Sequence, residues 1–171
     1  VIGMAVEIMG VRTGIIFGDY YYGENFGLKL WGVPILIGVN WAVLSFITST
    51  IGRRWTKNIW FSVLIGAGLM LGLDFLMEPV AGRFDFWHFE SENVPWRNYT
   101  DWFVTALLLQ ILIQKNISFS KTDFSLHLFL TQVFFFGTSY LILERTFAIK
   151  KLSTPLQLQV QMILVQLRFQ T

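Results

Sequence analysis

Long apolar runs alternate along this chain with short charged or aromatic segments. Residues 31–51 and 124–143 carry no acid, Lys or Arg, and residues 59–77 carry one charge, Asp74. About twenty apolar residues suffice to cross a bilayer as a helix, so each run predicts a membrane span. A shorter run at 101–114 predicts a further span, with Thr100 as its N-cap and Asp101 suited to the positive end of the helix dipole. Residues 1–9 read as the last turns of a helix that begins before this sequence, so the amino terminus is expected to be truncated. Barrel strands would show alternating segments of about ten residues, whereas these runs are continuous. The expected fold is therefore all-α, a polytopic transmembrane helical bundle over residues 1–151. Residues 152–171 form an expected tail, disordered or non-native, in which LQLQVQ at 156–161 has the period-two pattern of a strand with no evident partner.

Composition agrees. Of 171 residues, 54% are hydrophobic and 14% charged, where a soluble domain carries roughly 25% charge. The formal net charge of +2 gives no reason to expect nucleic acid as a partner; the bilayer is the expected one. There is no cysteine, which excludes disulfides, iron–sulfur clusters and thiolate metal sites. The basic loop of Arg53, Arg54 and Lys57 argues for a cytoplasmic position. Lys150 and Lys151 would then lie on the outer side, against the same rule. The loops 10–30 and 78–100 are expected to share the side opposite the basic loop.

Asp74 is the most informative residue. A carboxylate within a span costs about 2.5–3.5 kcal/mol on insertion scales, so it should face a protein interior or a wet cavity. Glu78, four residues on, shares its helix face. Pro79 disfavours helix at the preceding residue, and the helix is expected to end at Glu78. Val63, Ala67 and Met70 lie on the Asp74 face, while Gly68 and Gly72 form a small-xxx-small stripe suited to close packing on another. Two acids at the edge of an apolar space point to proton chemistry on an apolar substrate. Asp74 could alternatively pair with an Arg from another helix. Glu7 is a further acid at membrane depth, with either a catalytic role or a simple ion pair to Arg12.

Aromatic residues gather near these acids. Tyr20 and Tyr22 lie in a Gly/Tyr-rich loop, and Trp87, Trp96, Tyr99 and Trp102 in the second loop and the helix that follows. They fit an interfacial belt. They equally fit a wall whose π faces would stabilise a carbocation formed by alkene protonation. His88 and His127 are the two histidines, too few for a histidine-rich di-iron site, and no metal site is expected.

The ordered series EIMGVRTG at 7–14, FGDYYY at 17–22, LWGVP at 30–34, Asn40-Trp41, DFLMEPV at 74–80, Phe86-Trp87 and VPWRNYTDWF at 94–103 resembles the membrane carotenoid hydratases. These are the gamma-carotene 1'-hydroxylases and bisanhydrobacterioruberin hydratases. The resemblance covers about residues 4–105, with Glu78 where the family pattern has an aspartate and Asp101 where it has a small or apolar residue. It implies addition of water across the terminal C=C bond of an acyclic or monocyclic carotenoid, with no cofactor, in a bacterial cytoplasmic membrane. On this reading Asp74 donates the proton, Glu78 tunes it and Glu7 orients water. Tyr20, Tyr22, Trp41, Trp87, Asn98 and Trp102 would then bind substrate. The competing classes are a proton-coupled transporter and a non-catalytic membrane scaffold subunit.

Overall fold

The computed structural model describes residues 2–91, 93–117 and 123–168, with the backbone alone at 150–168. Among the described residues five α-helices carry the fold: α1 (Ile2–Thr13), α2 (Ile35–Trp55), α3 (Ile59–Ala81), α4 (Trp96–Asn116) and α5 (Phe124–Arg168). Four short strands lie between them, β1 (Tyr20–Tyr22), β2 (Lys29–Leu30), β3 (Val33–Pro34) and β4 (Trp87–Phe89). α3 is the central helix, packed against α2, α4 and α5. α2, α3 together with the 3-10 turn Gly82–Phe84 that extends it, and residues 124–149 of α5 are long and apolar enough to cross a membrane. The protein is an all-α integral membrane bundle.

Local chemistry explains the element boundaries. The first span begins at Ile35 rather than Trp31, because Trp31 (φ 53°) and Gly32 (φ 89°) turn the chain between β2 and β3. Pro34 then precedes α2 in an extended conformation. Asn58 caps α3, its side-chain oxygen accepting from the backbone N–H groups of Trp60 and Phe61 at 2.9 and 3.3 Å. Gly52 lets α2 approach α3 closely at this turn: a Cβ there would meet the Ser62 carbonyl oxygen at 2.5 Å.

Three helical expectations are corrected. α3 does not stop at Glu78 but runs through Pro79 to Ala81. Pro79 costs one backbone hydrogen bond there, and the last turn survives as Ala81 accepts from Phe86 N–H at 2.9 Å. α4 starts after Pro95, five residues before Thr100, whose hydroxyl instead donates to the Arg97 carbonyl within the helix. At 21 residues α4 is long enough to span, but it is not among the three helices apolar enough to do so. Its polar residues Asn98, Gln110 and Gln114 are buried inside the bundle instead.

The glycine stripe is also reassigned. Gly68 and Gly72 face open space, whereas Gly66 packs against the Gln110 side chain. Gln110 is the hub of a buried polar cluster: its amide donates to the Ser45 carbonyl and Thr48 hydroxyl at 3.1 and 2.8 Å. Its oxygen accepts from Ser49 and Gln114 at 2.8 Å each. Such bonds hold helices together where apolar lipid supplies no hydrophobic drive.

The loops 10–30 and 78–100 do share a side, since β1 pairs antiparallel with β4, Tyr20 opposite Phe89 and Tyr22 opposite Trp87. The backbone of α5 continues as helix to Arg168, so 156–161 forms no strand. The side chains of Lys150 and Lys151 lie outside the described residues; over 152–168, where an unstructured tail is expected, the described backbone is helical.

Candidate active site

Two carboxylate centres flank one small, partly open cavity. The first is Glu7 on α1, 3% exposed. Its Oε2 accepts from the Tyr20 and Tyr22 hydroxyls at 2.6 and 2.7 Å, and its Oε1 accepts from Trp41 Nε1 at 2.7 Å. The ion pair to Arg12 does not form; the Arg12 guanidinium lies 5.7 Å from the Trp31 ring centroid. Period-two geometry in β1 turns Tyr20 and Tyr22 to one side, towards Glu7, and Tyr21 to the other. Burial, then the Glu7 charge, pushes both phenols well up, so each remains a donor across the physiological range.

The second centre is Asp74, Glu78 and Asn98. The Asn98 amide nitrogen donates to Asp74 Oδ2 at 3.2 Å and to Glu78 Oε1 at 2.8 Å. Glu78 Oε2 accepts from Trp87 Nε1 at 3.1 Å. Asp74 is fully buried, and among the described residues its Oδ1 has no hydrogen-bond partner and no Arg pairs with it. One amide nitrogen thus joins two buried carboxyl groups.

Glu7, Tyr20, Tyr22, Trp41, Glu78, Trp87, Asn98 and Trp102 all line the cavity. Asp74 does not; it stands behind Asn98, and Glu78 is the member of the pair in contact with the space. Trp41 and Trp102 stack with centroids 4.0 Å apart and planes at 18°, and form one aromatic wall. Phe17, Ile37, Asn40, Met77 and Phe89 also line the cavity and were not singled out from the sequence as site residues. The clearest signal for Phe17 is Asp101, which accepts from the Phe17 backbone N–H at 2.9 Å and pins that residue at φ 67°. Asp101 thus serves the loop rather than the start of α4.

The remaining aromatics of the second loop divide. Phe86 packs on Phe26 and Tyr99 on Phe75, while Trp96 is exposed. His88 pairs with Asp85, and His127 Nδ1 lies 2.8 Å from the Asp123 carbonyl. No cluster of three or more metal-ligating residues occurs among the described residues.

Residues 1–162 match the family of carotenoid biosynthesis proteins. The chain belongs to that family. The match takes in residues 152–162 of the tail. The chain is also similar to the bisanhydrobacterioruberin hydratase of Haloarcula japonica, 28% identical over 120 residues. That similarity covers 63% of this chain and 39% of the relative's length, so the chain spans well under half of the curated protein it matches. No solved structure matches.

Proposed function

We propose that this member of the family hydrates the terminal C=C bond of an acyclic or monocyclic carotenoid. The observation that carries the reading is that Glu7 and Glu78, on different helices, line one aromatic cavity, with Asp74 linked to Glu78 through Asn98. Protonation of a trisubstituted alkene end yields a tertiary carbocation, and water captures it. Glu78 delivers the proton to the terminal alkene, since it touches the cavity; Asp74 supports it through Asn98. This exchanges the roles that the sequence suggests for the two acids. The faces of Trp41, Trp87 and Trp102 stabilise the cation.

Glu7 receives the proton released by the attacking water. Its Oε2 already accepts two hydrogen bonds but its Oε1 only one, which leaves an acceptor position open. The proton then returns to the Asp74–Glu78 pair through cavity water, so the sum is alkene plus water giving a tertiary alcohol. The step is neither oxidation nor reduction. The cavity holds one end of a polyene, with the remainder lying along the apolar bundle surface. A scaffold subunit has no need for two acid centres on one cavity, which favours the enzyme over that alternative.

The test is expression in a host that accumulates lycopene, followed by chromatography and mass spectrometry. The expected product is heavier by one water, and Glu78→Gln removes it. Good expression in membranes with no hydrated product from lycopene or a monocyclic carotenoid would overturn the reading.

A further inference from the structure

The polar groups lining the cavity are nearly all committed to one another. The Tyr20 and Tyr22 hydroxyls and the Trp41 indole serve Glu7. The Trp87 indole serves Glu78, and the Asn98 amide nitrogen bridges Asp74 and Glu78. Asn40 differs. It lies half-buried on α2, lines the same cavity, and among the described residues nothing hydrogen-bonds its side-chain amide. Its amide therefore has donor and acceptor capacity that a small molecule in the cavity could use.

Glu7 lines the same cavity as Asn40. Its Oε1 accepts from Trp41 and has an acceptor position left over. A water that donates one hydrogen to Glu7 Oε1 and the other to Asn40 Oδ1 keeps a lone pair directed into the cavity. We infer that Asn40 is the residue that positions the attacking water, acting with Glu7. This rests on the hydration reading above and adds to it the group that decides the fate of the carbocation.

That fate separates the two ideas experimentally. After proton transfer the cation either bonds to water oxygen or loses a proton from an adjacent carbon and reverts to an alkene. In D₂O the first path gives a deuterated alcohol. The second gives recovered or double-bond-shifted alkene carrying one deuterium in place of one hydrogen, with the displaced proton taken up by a cavity carboxylate. A residue that only supports the fold would reduce both paths together.

The experiment incubates membranes containing the protein with lycopene in D₂O and measures both products by mass spectrometry. Asn40→Leu should raise the ratio of labelled alkene to alcohol by roughly tenfold or more, the scale of one lost hydrogen bond to a reacting group. Asn40→Gln should stay nearer the native ratio. Asn40→Ser is run alongside as a smaller change, and the ratio is independent of how much folded protein each membrane holds. An unchanged ratio in Asn40→Leu and Asn40→Ser, with a native protein that hydrates, overturns the role of Asn40 and leaves the hydratase reading standing. A native protein that gives neither alcohol nor labelled alkene overturns both.

Discussion

Trp41 donates its indole N–H to Glu7 across 34 residues of sequence, at 2.7 Å and out of contact with lipid. α1 reaches α2 closely enough because Gly3 lies against Trp41: a Cβ at Gly3 would sit 2.5 Å from the Trp41 Cβ. Glu7 thereby fixes the first helix, the β1 strand and α2 to one another through a single carboxylate.

Removing that carboxylate should therefore affect stability as well as chemistry. Glu7→Ala leaves three buried donors unmet and is expected to cost on the order of 3 kcal/mol, read as a lower unfolding midpoint in detergent. Glu7→Gln keeps the shape and one acceptor oxygen. It should lose under half as much stability while still losing hydration. Equal midpoints for the two variants would show that the three bonds do not hold α1 in place.

Asn98 makes a different demand. Among the described residues it is the one group that hydrogen-bonds both Asp74 and Glu78. Asn98→Leu should lower hydration by about 100-fold, the lower part of the range for general acid catalysis, because the acid pair loses its shared donor. Asn98→Asp adds a third carboxyl in the same burial and should be worse. Product yield per membrane-inserted protein measures both, and an active Asn98→Asp would count against a shared proton.

The two kinds of glycine on α3 separate packing from exposure. Gly66→Ala drives a methyl group into the Gln110 amide hub and should destabilise by about 1–3 kcal/mol. Gly68→Ala meets open space and should be neutral or slightly stabilising, since Ala is the better helix former. Thermal unfolding of the pair in one detergent decides it.

The loop over the site carries a pH-sensitive clasp. Asp85, at φ 54°, accepts from the Glu24 backbone N–H at 2.9 Å and pairs with His88. These bonds, the backbone one first, hold its carboxyl below the ordinary range. A lowered folded-state pKa means that the clasp contributes fully above the unfolded value of about 3.9 and fades as pH falls through the lower folded one. Hydrogen exchange at the Glu24 amide, corrected for intrinsic rate, should stay flat from neutrality to about pH 5 and rise at lower pH. Asp85→Asn should lose that dependence.

The apolar runs by themselves determined that this is a membrane bundle, because helices and closed barrels satisfy a backbone in lipid and these runs are continuous rather than alternating. The cost of a charge in such a run made Asp74 conspicuous, and helical periodicity joined Glu78 to it. Glu7 was visible as an acid at membrane depth, but its partners were not. Tyr20, Tyr22 and Trp41 meet it only once β1 pairs with β4 and α1 packs on α2, contacts that no local spacing encodes. Pro79 misled because a proline in the last turn disturbs too little backbone to end a helix. Gly68 and Gly72 had the spacing of a packing stripe, yet which face of α3 meets another helix was set by where Gln110 had to be buried. The tertiary structure alone decided which acid touches the cavity, since residues on one helix face at different heights see different neighbours: Glu78 reaches the space and Asp74 is sealed behind Asn98. It alone decided, too, that Asn40, an ordinary polar residue within an apolar run, lines that cavity with no side-chain hydrogen bond among the described residues.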